Sequence, residues 1–201
     1  MIKKIIKCLK NNPQVTDWLI EESASETSEV FYVLQHLETT RITNTVEYKV
    51  IIYRKFSEKN HSYLGSSSFV ISHKMSPKAI DALIKDAVYA AGFVKNEEYE
   101  IVAGIKKRSW KEKTAEIEPF VALDKIAKTF FTYTTDKVKF NSLELFFIKT
   151  TIHLVNSRNV DLKKTLHNIK VEAIPSYNGP DLKVEVYKEL EYRHLDLEKI
   201  A

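Results

Sequence analysis

Chemistry in this 201-residue sequence would have to come from six histidines, one cysteine, a serine triplet and a few glutamate groups. A catalytic zinc needs about three converging protein ligands, and no histidine falls in HExxH, HExxxH or HxH spacing. His153 opens the stretch HLVNSRNVDLKKTL and His167 follows it. A tight turn within 156–160 sets His153 opposite a residue between 162 and 164 and leaves His167 roughly 10–17 Å further along the strand, too far to share a metal. His36 and His73 fall in expected strands and His61 and His194 in or near loops, where a solvated or hydrogen-bonded imidazole is the ordinary role. Cys8, alone, forms no internal disulfide, CxxC redox pair or multi-cysteine zinc site.

Ser66, Ser67 and Ser68 follow Gly65, but they lead into an expected strand at Phe69 to His73. A nucleophile elbow needs G-x-S-x-G on a strand-to-helix turn, so these serines read as a polar strand entry. Glu21, Glu22, Glu26 and Glu29, and Glu97, Glu98 and Glu100, sit among polar neighbours without an apolar pocket to raise a pKa, and read as solvated faces. Lys106, Lys107, Arg108, Lys111 and Lys113 surround Trp110, which could track a phosphate backbone and stack on a base. Glu112 and Glu116 interrupt that charge, and a solvated linker is the favoured reading. No catalytic, cofactor-binding or metal-ligating residue is assigned, and no cofactor is expected in this chain.

Only Gly65, Gly92, Gly104 and Gly179 are present, and no pair has the spacing of a dinucleotide fingerprint or a Walker loop. The net charge of +4 carries no broad commitment to nucleic acid. The N-terminus places Ile2, Ile5, Ile6 and Leu9 at helical spacing with lysines between. That helix is too short to span a membrane and lacks the features of a signal peptide, so docking onto the protein's own sheet and a cytoplasmic location are expected.

The elements that would position these side chains follow in two rounds. Residues 17–56 are rich in β-branched and aromatic types, with Val46, Tyr48, Val50, Ile52 and Phe56 on one face, and GSSSFVISH adds another strand after a polar loop around Glu58 to His61. A helix over 76–92 carries Ser76 as N-cap, Pro77 at its first position and Gly92 as its stop. After the charged stretch 95–118, Pro119 opens a helix with Phe120, Leu123, Ile126, Ala127 and Phe130 on one face, and further strands end in DLKVEVYKELEY. The expectation is an α+β fold of two subdomains, each an antiparallel sheet with a covering helix: 1–100, a linker at 101–118, and 119–201.

Between two of those strands, Asn156-Ser157-Arg158-Asn159 forms a turn whose asparagines accept positive φ, followed by Val160 and Asp161 and then by Val171-Glu172-Ala173-Ile174-Pro175. A strand closing on an N-S-x-G-V-D turn with an EAIP-like segment after it resembles the central domain of the TldD/PmbA family, labelled modulators of DNA gyrase and described as zinc metallopeptidases. LETTRITNTVEYKVIIYRKF, SSFVIS and the helix ending in FVKNEEYEI look like that family's N-terminal domain. Asn159 stands where the family has glycine, a change that preserves the turn.

The resemblance implies a cytoplasmic peptide-processing system whose zinc sits on an HExxxH helix of a C-terminal catalytic domain. The sequence stops at HLDLEKIA, where the next helix would begin. The chain is therefore expected to be truncated relative to the family, inactive alone, and to supply the wall of a substrate chamber and a scaffold for a homo- or hetero-dimer with a TldD/PmbA-type subunit. The alternatives are a non-catalytic module that binds protein or peptide by strand addition, and, less favoured, nucleic-acid binding.

Overall fold

The protein, as a computed structural model, is described over residues 1–104, 108–111 and 118–193. In order, its elements are α1 (Ile2–Lys10), β1 (Asp17–Val33), β2 (His36–Glu58), β3 (His61–Ser72), α2 (Pro77–Ala91), β4 (Arg108–Lys111), α3 (Pro119–Phe131), β5 (Val138–Asn156), β6 (Asp161–Asn178), β7 (Lys183–Glu185) and β8 (Lys188–Tyr192). The strand order is β3-β2-β1-β5-β6-β4, with β7 and β8 also pairing to β6. This is an α+β fold with an antiparallel sheet, and the register fixes β3 on β2 from Glu47↔Ser72 to Glu58↔His61.

Four strands are long: β1 has 17 residues, β2 23, β5 19 and β6 18. Their length sets the division of the chain. Unit 1 comprises Met1–Ala24, Thr45–Trp110 and Thr151–Lys164, and unit 2 comprises Ser25–Asn44, Lys111–Thr150 and Thr165–Ala201. The units are interleaved in sequence because each long strand contributes one end to each. The expected boundaries at 1–100, 101–118 and 119–201 instead follow the order of elements along the chain.

In unit 1, α1 and α2 pack on each other and on the sheet, and Ile5, Leu9, Ile20, Ile52, Ile71 and Ile80 are fully buried between them. Burying each such side chain stabilises by about 1.5–3 kcal/mol. The α2 boundaries follow from its punctuation: Ser76 Oγ accepts from Ala79 N at 3.3 Å, Pro77 opens the first turn and Gly92 follows the last. Gly65 on β3 is required by contact: a Cβ there would lie 1.9 Å from the Ala91 carbonyl oxygen at the end of α2.

In unit 2, Pro119 opens α3 and Glu118 caps it, accepting from Phe120 N at 3.1 Å and Val121 N at 2.7 Å. Leu123 and Ile126 of α3 bury against Leu143 and Leu145 of β5 and Ile169 and Val171 of β6. Phe140 extends this core as the shared partner of edge-on contacts from Phe130 and Phe131.

Two-residue turns close the first hairpins. Lys59 and Asn60, at φ 48° and 66°, reduce the expected polar loop to a tight turn, and Leu34 and Gln35, at φ 47° and 72°, make another within a stretch that reads as continuous strand. His73 stands in a turn just after β3 rather than in a strand, and His194 lies outside the described residues. Within the charged segment, Arg108–Lys111 forms the short strand β4.

Candidate functional site

The turn that carries the family resemblance is a hydrogen-bonded knot in unit 1. Asn159 has φ 65°, the left-handed value its side chain tolerates. Asn156, buried, closes the turn with its own amide: Oδ1 accepts from Arg158 N at 2.9 Å and Val160 N at 3.0 Å, while Nδ2 donates to Val102 O at 2.8 Å. Ser157 Oγ donates to Asp17 Oδ1 and accepts from Trp18 N at 3.2 Å. Arg158 clamps the same carboxylate with two bonds, Nε to Oδ1 at 3.1 Å and Nη2 to Oδ2 at 2.8 Å. Asp17 is only 6% exposed, and this guanidinium, helped by Ser157 against the cost of burial, holds its carboxyl below the usual carboxylate range. Together these bonds anchor the β5–β6 turn onto β1.

Beside it runs a row of titratable groups, also in unit 1. His153 on β5 stands with Nε2 2.8 Å from Asp161 Oδ1 and Nδ1 3.6 Å from Glu22 Oε2. Glu22 also stands beside Tyr48, whose phenol is pushed up to about 12 by burial first and by Glu22 second. Sequence spacing kept His153 from a metal partner but did not reveal this carboxylate–imidazole–carboxylate row. Glu22 is thus partly buried beside His153 and Tyr48, not part of a solvated face.

Unit 2 holds a second charged group. Glu29, another residue read as solvated, is 6% exposed, with Arg41 Nη2 at 3.2 Å from its Oε1. Burial first, and the neighbouring Glu29 after it, push the Glu144 carboxyl up. On β6, Lys170 Nζ lies 2.6 Å from Glu172 Oε1 and 3.2 Å from Glu189 Oε2, and these two carboxylates raise the lysine. A signal was present in the sequence: the alternate neighbours of Glu29 on its own face include Phe31 and Val33, and Glu144 sits within LELFF.

Of the remaining candidates, Ser66 and Ser67 are half-buried within β3, Glu98 forms a surface ion pair with Lys55 at 2.7 Å, and Trp110 is 51% exposed with Lys164 Nζ 5.4 Å over its ring. Lys106, Lys107 and Lys113 lie outside the described residues. Among the described residues no group of three or more His, Cys, Asp or Glu side chains is placed to hold a metal ion. No described helix is long and apolar enough to cross a membrane.

No protein-family model matches the sequence, and no curated protein matches it. Solved structures do. The chain is similar to TldE from Thermococcus kodakarensis, with a TM-score of 0.59 and 12% identity over 99% of this chain and 45% of that one. It is similar to a candidate modulator of a DNA gyrase from Thermotoga maritima, with a TM-score of 0.63 and 10% identity over 100% of this chain and 46% of that one. A candidate modulator of DNA gyrase from Bacteroides thetaiotaomicron gives a TM-score of 0.57 and 11% identity over 96% of this chain and 44% of that one. The chain thus spans less than half the length of each. At such identities the likeness is one of fold, and it agrees with the resemblance carried by the 156–161 turn and the order of elements: the chain has the TldD/PmbA-type fold.

Proposed function

We propose that the chain acts as the N-terminal and central portion of a TldD/PmbA-type system that cleaves peptides, walling a substrate chamber and supporting dimerisation while the zinc chemistry resides on segments outside these 201 residues. The observation that supports this reading is coverage: 99–100% of this chain follows TldE and the Thermotoga protein, yet it accounts for only 45–46% of their length. In an HExxxH centre, two histidines hold the zinc and the glutamate activates the bound water, and no described cluster here supplies such a set. The chain's own contribution is then positioning: the Asp17–Arg158 knot fixes the β5–β6 turn, and the long strands provide the wall.

The test is peptide cleavage by a zinc-bearing TldD-type subunit, measured with and without this chain. Cleavage that rises when the chain is added supports the reading. Cleavage unchanged at saturating chain counts against it.

A second reading, a module that binds an extended peptide by strand addition, draws on β2. Its partner β3 pairs only with Glu47 to Glu58, so residues 36–46, all exposed, have no strand on that edge among the described residues. A peptide that binds the chain in the absence of any TldD-type subunit would favour this second reading.

A further inference from the structure

The two helices of unit 1 turn their apolar sides inward and gather lysines on the outside. In α1, Ile5, Cys8 and Leu9 are buried, while Lys3, Lys7 and Lys10 fall at i, i+4 and i+7 on one exposed face. In α2, Ile80, Ile84 and Val88 are buried, and Lys78, Lys85 and Tyr89 share the exposed side. The helices lie side by side. Lys4 Nζ is 3.5 Å from Met75 O, Cys8 Sγ donates to Pro77 O at 3.9 Å, and Cys8, Asn11, Asp81 and Lys85 line one cleft. Residues 1–16 and 73–93 together carry seven lysines and two carboxylates, Asp81 and Asp86, an excess larger than the +4 of the whole chain. Among the described residues none of these lysines is in an ion pair. We propose that this lysine face of α1 and α2 is a docking surface for an anionic phospholipid membrane, with Tyr89 and Phe93 as its apolar anchors.

The aromatic pair decides which polyanion fits. Tyr89 is 69% and Phe93 68% exposed, with ring centroids 5.0 Å apart and planes crossed at 74°. Such rings beside lysines match the headgroup boundary of a bilayer, where aromatic side chains bury their apolar bodies and long lysine stems carry charge to the lipid phosphates. A nucleic-acid duplex would meet the lysines but give the rings no apolar surface. Residues 1–16 and 73–93 also contain no arginine, the group that grips phosphates and guanines bidentately. The rings pack edge-on against each other, so the pair is no open platform for stacking bases. Because Ile5 and Leu9 are held in the core of unit 1, docking is peripheral, and the chain keeps its fold on the membrane surface. Charge supplies most of the attraction, so salt weakens it. Asp86, exposed on α2, and the half-buried Asp81 oppose it.

Co-sedimentation of the full chain with vesicles reads this directly. The chain should bind phosphatidylcholine vesicles that contain about 30% phosphatidylserine, release them as salt rises, and ignore vesicles of phosphatidylcholine alone. Lys3→Gln, Lys7→Gln and Lys10→Gln together should weaken binding by about tenfold or more. Lys137→Gln, Lys139→Gln and Lys183→Gln together remove the same charge from unit 2 and should leave binding within about twofold of wild type. Tyr89→Ser with Phe93→Ser should also weaken binding, with the salt dependence kept. All eight positions are exposed, and an unchanged circular dichroism spectrum separates lost binding from lost fold. Absence of wild-type binding to the anionic vesicles, or equal loss in the two lysine variants, would overturn the proposal. So would capture of a DNA duplex by a wild-type chain that leaves the vesicles unbound.

Discussion

Unit 1 and unit 2 bury carboxylates on the same strand, β1, and treat them oppositely. Asp17 in unit 1 is met by three donated bonds, two from Arg158 and one from Ser157, and its carboxyl is held ionised. Glu29 in unit 2 is equally buried, at 6%, but has an exposed arginine on one side and another carboxyl group on the other. A buried carboxylate with complete donors stabilises a turn, and one met only by an exposed cation keeps an oxygen without a hydrogen bond, at a cost to stability. The difference teaches that burial alone does not assign a role to an acidic residue. The number of donors that reach it does.

Both tryptophans, Trp18 and Trp110, belong to unit 1, so fluorescence reports that unit while far-ultraviolet circular dichroism reports both. The largest expected effect is Asp17→Ala, which strands Arg158, Ser157 and the Trp18 amide geometry and should cost roughly 3 kcal/mol of stability. Asp17→Asn adds the sign of the pH dependence. Because the folded carboxyl titrates below its ordinary value, its contribution is present above the ordinary carboxyl range and lost as pH falls through the folded value. The variant should therefore lose wild type's decline in stability on the acid side, and an unchanged acid limb would break the contrast between the units.

Gly65→Ala comes next. Its Cβ meets the Ala91 carbonyl oxygen at 1.9 Å and the Val94 carbonyl oxygen at 2.9 Å, so β3 and the end of α2 must move apart, at about 2 kcal/mol. A fluorescence midpoint equal to wild type would contradict that close approach. Asn159→Val should cost about 1 kcal/mol because a β-branched residue resists the φ of 65° found there, whereas Asn159→Gly should be close to neutral. Equal stability of the two variants would refute the strain. The smallest effect belongs to unit 2: Lys170→Met leaves Glu172 and Glu189 without their shared cation and should lower the midpoint least of these variants, seen more in circular dichroism than in fluorescence. Coincident shifts of both probes in every variant would show the two units unfolding as one.

Much of the local structure is legible in the sequence, because its causes are local. Ser76, Pro77 and Gly92 bracket α2, Pro119 starts α3, and Asn159 takes positive φ, each for backbone reasons that a few residues contain. The Leu34–Gln35 turn is illegible for the opposite reason. Neither residue favours positive φ, and the turn is held by distant partners, with Leu34 N reaching Asn141 O at 3.4 Å and Gln35 Nε2 reaching Thr134 Oγ1 at 2.7 Å. The interleaving of the units escapes sequence reading too, since nothing local announces that a strand will run for 23 residues through two cores. Glu22 and Glu29 read as solvated because polar residues stand close to them in the sequence. Their environment is instead set by Tyr48 and Arg41 on β2 and by His153 and Glu144 on β5.

A chain that is one part of a larger peptide-cleaving assembly must bind the subunit that carries the zinc. Sedimentation velocity of the chain mixed with a zinc-bearing TldD-type subunit tests it most directly. A complex with one copy of this chain per subunit, sedimenting faster than either component, is the predicted result. Two unshifted boundaries at concentrations well above those of the cleavage assay would contradict it.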